Sequence, residues 1–287
     1  MLPILPQHER DRLIDAAVDI DFGGDRAHAI AQLVSGVTHF SEAQKDRLVD
    51  AALQIDIMDS STAFTTLASR VRHLNECQRD RIITAASMQH WPWIRAFALG
   101  TLARNMADFS EPQRWRIVDE VLGIGEDQAR AEGLVGLGAA MPALDAGQQE
   151  RVVHAVSGLR DDWAKGTAIR GLSSTMPAMS ESLREHLVDA TMGLGDGEGK
   201  SRGIAGLAAG SASLSETQGE HLVDAASGLT EKSNLEAALT ALADGAAFLS
   251  ENAVSRMTEL TLRLKNDQLK AKLLARMVAS ISQVNQQ

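Results

Sequence analysis

The sequence predicts an all-α protein, an α-solenoid of about eight 35-residue helix-turn-helix repeats. Three observations carry this. One block recurs along the whole chain, its helix-start residues recur in register, and its apolar columns step by three. Anchored on Arg12, the block returns at Arg47, Arg81, Arg116, Arg151, His186, His221 and Arg256. The step is 35 residues, with one step of 34 between Arg47 and Arg81. A period in this range is the mark of stacked supersecondary units, none of which buries its apolar face alone.

The first helix of each repeat is announced by its N-cap. Ser41, Ser110, Ser180, Ser215 and Ser250 hold this place, with Asn75, Asp145 and Pro6 in the others. Short polar side chains here accept hydrogen bonds from first-turn N–H groups that have no helical partner. Three residues on stand Gln44, Gln78, Gln113, Gln148 and Gln218, with Glu9 in the first repeat, which completes a capping box. Leu13, Leu48, Ile82, Ile117, Val152, Leu187, Leu222 and Met257 then form the apolar column of the first helix.

The second helix carries two columns three residues apart. Ile30, Phe64, Leu99, Leu134, Ile169, Ile204, Leu239 and Leu274 form one. Leu33, Leu67, Leu102, Leu137, Leu172, Leu207, Leu242 and Met277 form the other. Such a step is helical, not the alternation of a strand. Between the two helices Gly123, Gly158, Gly193 and Gly228 are each followed by Ile or Leu, which predicts a glycine stop with its apolar contact. The resulting repeats run about 1–39, 40–73, 74–108, 109–143, 144–178, 179–213, 214–248 and 249–287, and they predict a single domain over 1–287.

Composition narrows the function. The chain is 44% apolar but only 3% aromatic, so its core is aliphatic and alanine-rich, which suits closely approaching helices. One cysteine, Cys77, excludes an internal disulfide and a thiolate-rich zinc site. No apolar run reaches the length of a membrane span and no signal pattern opens the chain, so a cytoplasmic protein is expected. A net charge of −10 argues against a broad grip on phosphate backbones, because that grip comes from clustered Lys and Arg. The eight histidines fall in no recurring ligand set, and no phosphate loop or nucleophile motif is present. Neither a catalytic residue, nor a metal site, nor a cofactor is expected.

Charged columns line both helices. Asp11, Asp46, Asp80, Glu150, Glu185 and Glu220 precede the anchor, and Asp15, Asp50, Asp119, Asp189, Asp224 and Glu259 follow it by three. Four apart on one helix, the two columns share a face with the anchor between them. The second helix opens on Arg26, Arg95, Arg130, Lys165, Lys200 and Lys270, with turn acids such as Asp127, Asp161, Asp162 and Asp196 just upstream. Turn acid, basic residue, then A-x-A-[IL]-x-x-L, as in Arg95-Ala96-Phe97-Ala98-Leu99-Gly100-Thr101-Leu102, resembles the second helix of a HEAT repeat. The resemblance implies a HEAT-like superhelix in which turn acids and the basic column form a ladder between neighbouring repeats. Read without it, the same column is a basic stripe along a groove.

Function is expected where the regularity breaks. Trp93 and Trp163 share one column two repeats apart, with Gln128 between them, and Arg95, Arg130 and Lys165 follow two residues later. Exposed Trp and Arg are frequent interface anchors; an indole also serves simply to cover the edge of its own hairpin. The expectation is a non-enzymatic scaffold that binds another protein through Trp93, Arg95, Gln128, Arg130, Trp163 and Lys165 as one surface. HEAT-like arrays occur among effectors that bacteria inject into host cells, so the resemblance places a bacterial effector, acting in the host cytosol, among the expectations. It leaves as the alternative a nucleic-acid-binding protein of the HEAT-like alkylpurine DNA glycosylase type.

Overall fold

The structure is a computed structural model and describes residues 5–21, 23–36, 40–55 and 57–284. Among these there are sixteen α-helices and no strand. The chain divides into two compact units, Met1–Ile124 and Gly125–Gln287. The N-terminal unit holds α1 (Gln7–Val18), α2 (Gly23–Ser35), α3 (Glu42–Leu53), α4 (Ile57–Ala68), α5 (Glu76–Ser87), α6 (Pro92–Ala103) and α7 (Glu111–Leu122). The C-terminal unit holds α8 (Asp127–Ala140), α9 (Ala146–Ser157), α10 (Asp162–Ser173), α11 (Glu181–Met192), α12 (Glu198–Ala209), α13 (Glu216–Ser227), α14 (Lys232–Asp244), α15 (Glu251–Arg263) and α16 (Asp267–Val284).

The helices start where the caps predict. Ser41, Asn75, Asp145 and Ser215 each form a two-way capping box with the Gln three residues on. Ser180 and Ser250 cap alone, because Leu183 and Ala253 stand where the Gln would be. Pro6 makes no side-chain cap. Pro92 sits in the first turn of α6, where its missing N–H costs nothing.

A three-residue 3₁₀ turn, which the repeat columns do not announce, follows the second helix of most repeats, including Met141–Ala143 and Met176–Ala178. Each turn drops a side chain such as Met106, Met141 or Met176 into the core before the chain extends into the next cap.

Within each unit the helices form two rows. In the N-terminal unit α1, α3, α5 and α7 pack in sequence, as do α2, α4 and α6. In the C-terminal unit the rows are α9, α11, α13, α15 and α8, α10, α12, α14, α16. The apolar columns fill the layer between rows; Leu48, Ile82, Leu99, Leu102, Leu134, Leu137, Leu172 and Leu207 are all buried.

Three expectations need correction. Leu13 is 43% exposed although Leu48, Ile82 and Ile117 of its column are buried, and only the adjoining column of Ile14, Val49 and Ile83 stays buried there. The reason is that α1 has one row neighbour, α3, whereas α3 and α5 have odd-row neighbours on both sides. At the other end Leu273 is buried and Leu274 only half-buried, since α16 likewise has one neighbour in its row. The glycine stops are not left-handed. Gly123, Gly158, Gly193 and Gly228 have φ between −73° and −81°, and among the described residues no glycine has positive φ. Gln54 and Met88 occupy the same place in other repeats with the same right-handed geometry, so glycine is not required there. The apolar half of the motif holds: Ile124, Leu159, Leu194 and Leu229 are buried.

Glycine is required where α8, α10 and α12 meet. A Cβ on Gly166 would lie 2.1 Å from the Gly199 carbonyl oxygen, and one on Gly199 would lie 2.2 Å from that of Asp162. The two backbones touch, which a side chain on either would prevent.

Candidate binding surface

The repeat places its polar columns so that they bond between neighbours. Gln44 Nε2 donates to Asp11 at 2.7 Å and to the Gln7 carbonyl at 3.3 Å. Gln113 Nε2 does the same to Asp80 at 2.8 Å and to Glu76 O at 3.0 Å. The capping glutamines Gln44, Gln78, Gln113 and Gln218, themselves buried, thus tie α3, α5, α7 and α13 to the first helix of the preceding repeat. The anchor arginines extend this tie. Arg47 pairs with Asp15 and stands 3.7 Å from Asp11, and Arg81 pairs with Asp50 and lies 3.1 Å from Asp46. Arg116 donates to Thr84 at 2.8 Å, and Arg256 pairs with Asp224. Asp11, Asp15, Asp46, Asp50 and Asp224 are thus half-exposed partners of the next repeat's anchor.

The turn acids form a second tie. Asp127 Oδ2 accepts from the backbone N–H of Arg160 (2.6 Å) and Asp161 (3.1 Å), while Oδ1 takes the Arg130 guanidinium. The Arg160 N–H, foremost, holds the Asp127 carboxyl below its ordinary range against the opposing effect of burial. Asp162 accepts from Gly195 N–H at 2.9 Å. Asp196 accepts from the hydroxyl and the N–H of Thr230, which lower its pKa in turn.

These ties account for part of the predicted surface. Trp93 and Arg95 belong to the N-terminal unit, and Gln128, Arg130, Trp163 and Lys165 to the C-terminal unit. Arg95 donates twice to the Gln89 carbonyl, at 3.0 and 2.9 Å, and so closes the end of α5. Arg130 is held by Asp127. Trp163 is half-buried, and the Arg202 guanidinium lies 5.1 Å from its ring centre. Arg202 is itself fixed by Glu198 at 2.6 and 2.9 Å, giving an acid–cation–indole stack between α10 and α12. Trp93 and Gln128 are exposed, and Lys165 is half-buried.

Three residues join Trp93 that sequence reading did not single out. Met88 is 70% exposed, Trp91 71%, and Phe97 43%. Met88 closes α5 and Trp91 caps α6, so both sit in the turn of one hairpin; Phe97 lies one helical turn beyond Trp93 on the same face. The signal available was the apolar turn Met88-Gln89-His90-Trp91, where other repeats have glycine and acids.

Among the described residues no group of three or more His, Cys, Asp or Glu side chains is arranged to hold a metal ion, and no helix is long and apolar enough to cross a membrane. No family model matches the chain, and no curated protein is similar to it. Among solved structures it is similar to one described under "Computational Design of Self-Assembling Cyclic Protein Homooligomers", over 98% of this chain and 93% of that one. The identity is 12% and the TM-score 0.19, a superposition too poor to carry any argument.

Proposed function

We propose that the protein is a non-enzymatic, HEAT-like scaffold that binds another protein through the aromatic end of its third hairpin. The observation that carries this is the exposure of Met88, Trp91, Trp93 and Phe97 on adjoining parts of α5 and α6. Large apolar side chains gathered on a rigid element mark contact sites, whereas single ones are ordinary. Indoles and Met are also the residues enriched at the centres of protein interfaces. In this reading Trp91 and Trp93 are the anchors, Phe97 extends them, and Arg95 is a positioning residue that fixes the turn through Gln89. Gln128, Lys165 and the Arg202-capped Trp163 offer a second, more polar area on the C-terminal unit. The HEAT-like assignment is supported by the turn acids Asp127, Asp162 and Asp196, each bonded to the following turn.

The test uses the full chain as bait. Partners are captured with the wild type, identified, and their affinities measured against Trp91→Ala/Trp93→Ala. The double variant is expected to melt near the wild type and to bind about 2 kcal/mol or more weaker. Unchanged affinity, or a large drop in melting temperature, defeats the assignment. Binding of an oligonucleotide that weakens steeply with salt would favour a nucleic-acid partner instead.

A further inference from the structure

We propose that His154 and His186 form a two-imidazole site for a late divalent transition-metal ion, with zinc as the representative, that clamps α9 to α11. This goes beyond the partner surface and uses different residues.

The scaffold itself brings the pair together. Across the array an anchor reaches the residue three past the previous anchor, as Arg47 reaches Asp15, Arg81 reaches Asp50 and Arg256 reaches Asp224. At the rung between α9 and α11 both members are replaced, the arginine by His186 and the acid by His154. An ion pair is exchanged for two imidazoles in the same geometry.

Their disposition fits chelation. The ring centres are 4.7 Å apart with the planes inclined at 39°. With metal–nitrogen bonds of about 2.0–2.1 Å, two imidazoles on one tetrahedral ion have ring centres roughly 5 Å apart. His186 Nδ1 lies 2.8 Å from the Ser182 carbonyl oxygen. A carbonyl only accepts, so Nδ1 carries the proton and the Nε2 lone pair is left free in the neutral ring. That is the outer hydrogen bond by which ligating histidines are usually oriented. Glu150, one turn earlier on α9, stands 3.8 Å from His154 Nε2 and takes no part as a ligand. Both rings are exposed, so water can complete the coordination sphere. Two imidazoles select zinc, nickel or copper over magnesium and calcium.

The test is zinc titration of the full chain by calorimetry and thermal shift, with magnesium as the blank. One zinc ion per chain is expected, with a raised melting temperature, and no response to magnesium. His154→Ala and His186→Ala should each weaken zinc binding by about tenfold or more, because the second imidazole is offered at high effective concentration. His186→Arg restores the residue found at most other anchors, so it should keep the fold and lose the zinc response. His221→Ala, at the next anchor, should leave zinc affinity unchanged. The proposal is overturned if the wild type takes up no stoichiometric zinc. It is equally overturned if zinc binds both alanine variants as it binds the wild type, which would put the ion elsewhere.

Discussion

Replacing Gly166 with alanine tests how closely α10 and α12 are packed. The new Cβ would stand 2.1 Å from Gly199 O and 2.8 Å from Gly199 C, against the 3.4 Å at which ordinary contact begins. The obstacle is backbone, which cannot rotate away as a side-chain tip can. The helices must part by roughly 1 Å, loosening the Ile169 and Ile204 columns beside them, and such overpacking costs about 1–3 kcal/mol or more. Alanine returns up to about 1 kcal/mol of helix propensity. The net expectation is a loss of about 2 kcal/mol. Gly158→Ala supplies the control, because its nearest atom is Ala155 O at 3.5 Å and its φ of −76° suits any residue. That change should stabilise by about 0.4–1 kcal/mol through the unfolded chain. Urea unfolding followed by circular dichroism measures both. Should Gly166→Ala prove as stable as the wild type while Gly158→Ala behaves as expected, the contact between α10 and α12 is not what holds glycine there.

Two further outcomes follow from the ties between repeats. Asp127→Asn should cost about 1–2 kcal/mol at neutral pH, since hydrogen bonds to a charged acceptor are lost. Because the folded carboxyl lies below its ordinary 3.8, its contribution is full above that value and disappears as the pH falls through the depressed one. The gap between variant and wild type, read from urea unfolding at a series of pH values, should therefore close on acidification; a constant gap would contradict the bonding. Gln113→Ala removes bonds to Glu76 O, Asp80 and the Ser110 N–H at one buried position and should cost about 2 kcal/mol in the same assay. A loss no larger than that of an exposed cap would show that the link to α5 contributes little.

The repeat period, the helix starts and the core columns were fixed by local relations. A Ser or Asn followed three residues later by Gln, and apolar residues three apart, need only one helix to express themselves, so Ser41, Gln44, Leu48 and Leu137 sit where the sequence implied. What the sequence left open concerns pairs on different helices. Arg47 had acids before and after it in its own helix, yet it bonds Asp15 of the preceding one, because the rotation of packed helices decides which side chains face each other. The same rotation sets Arg202 over Trp163, turns Trp91 and Phe97 outward, and brings His154 to His186. At the ends of the rows it leaves Leu13 exposed and Leu274 half-buried while Ile14 and Leu273 stay covered. Such choices depend on how many neighbours a helix has and how near they come, and only the packed structure supplies both.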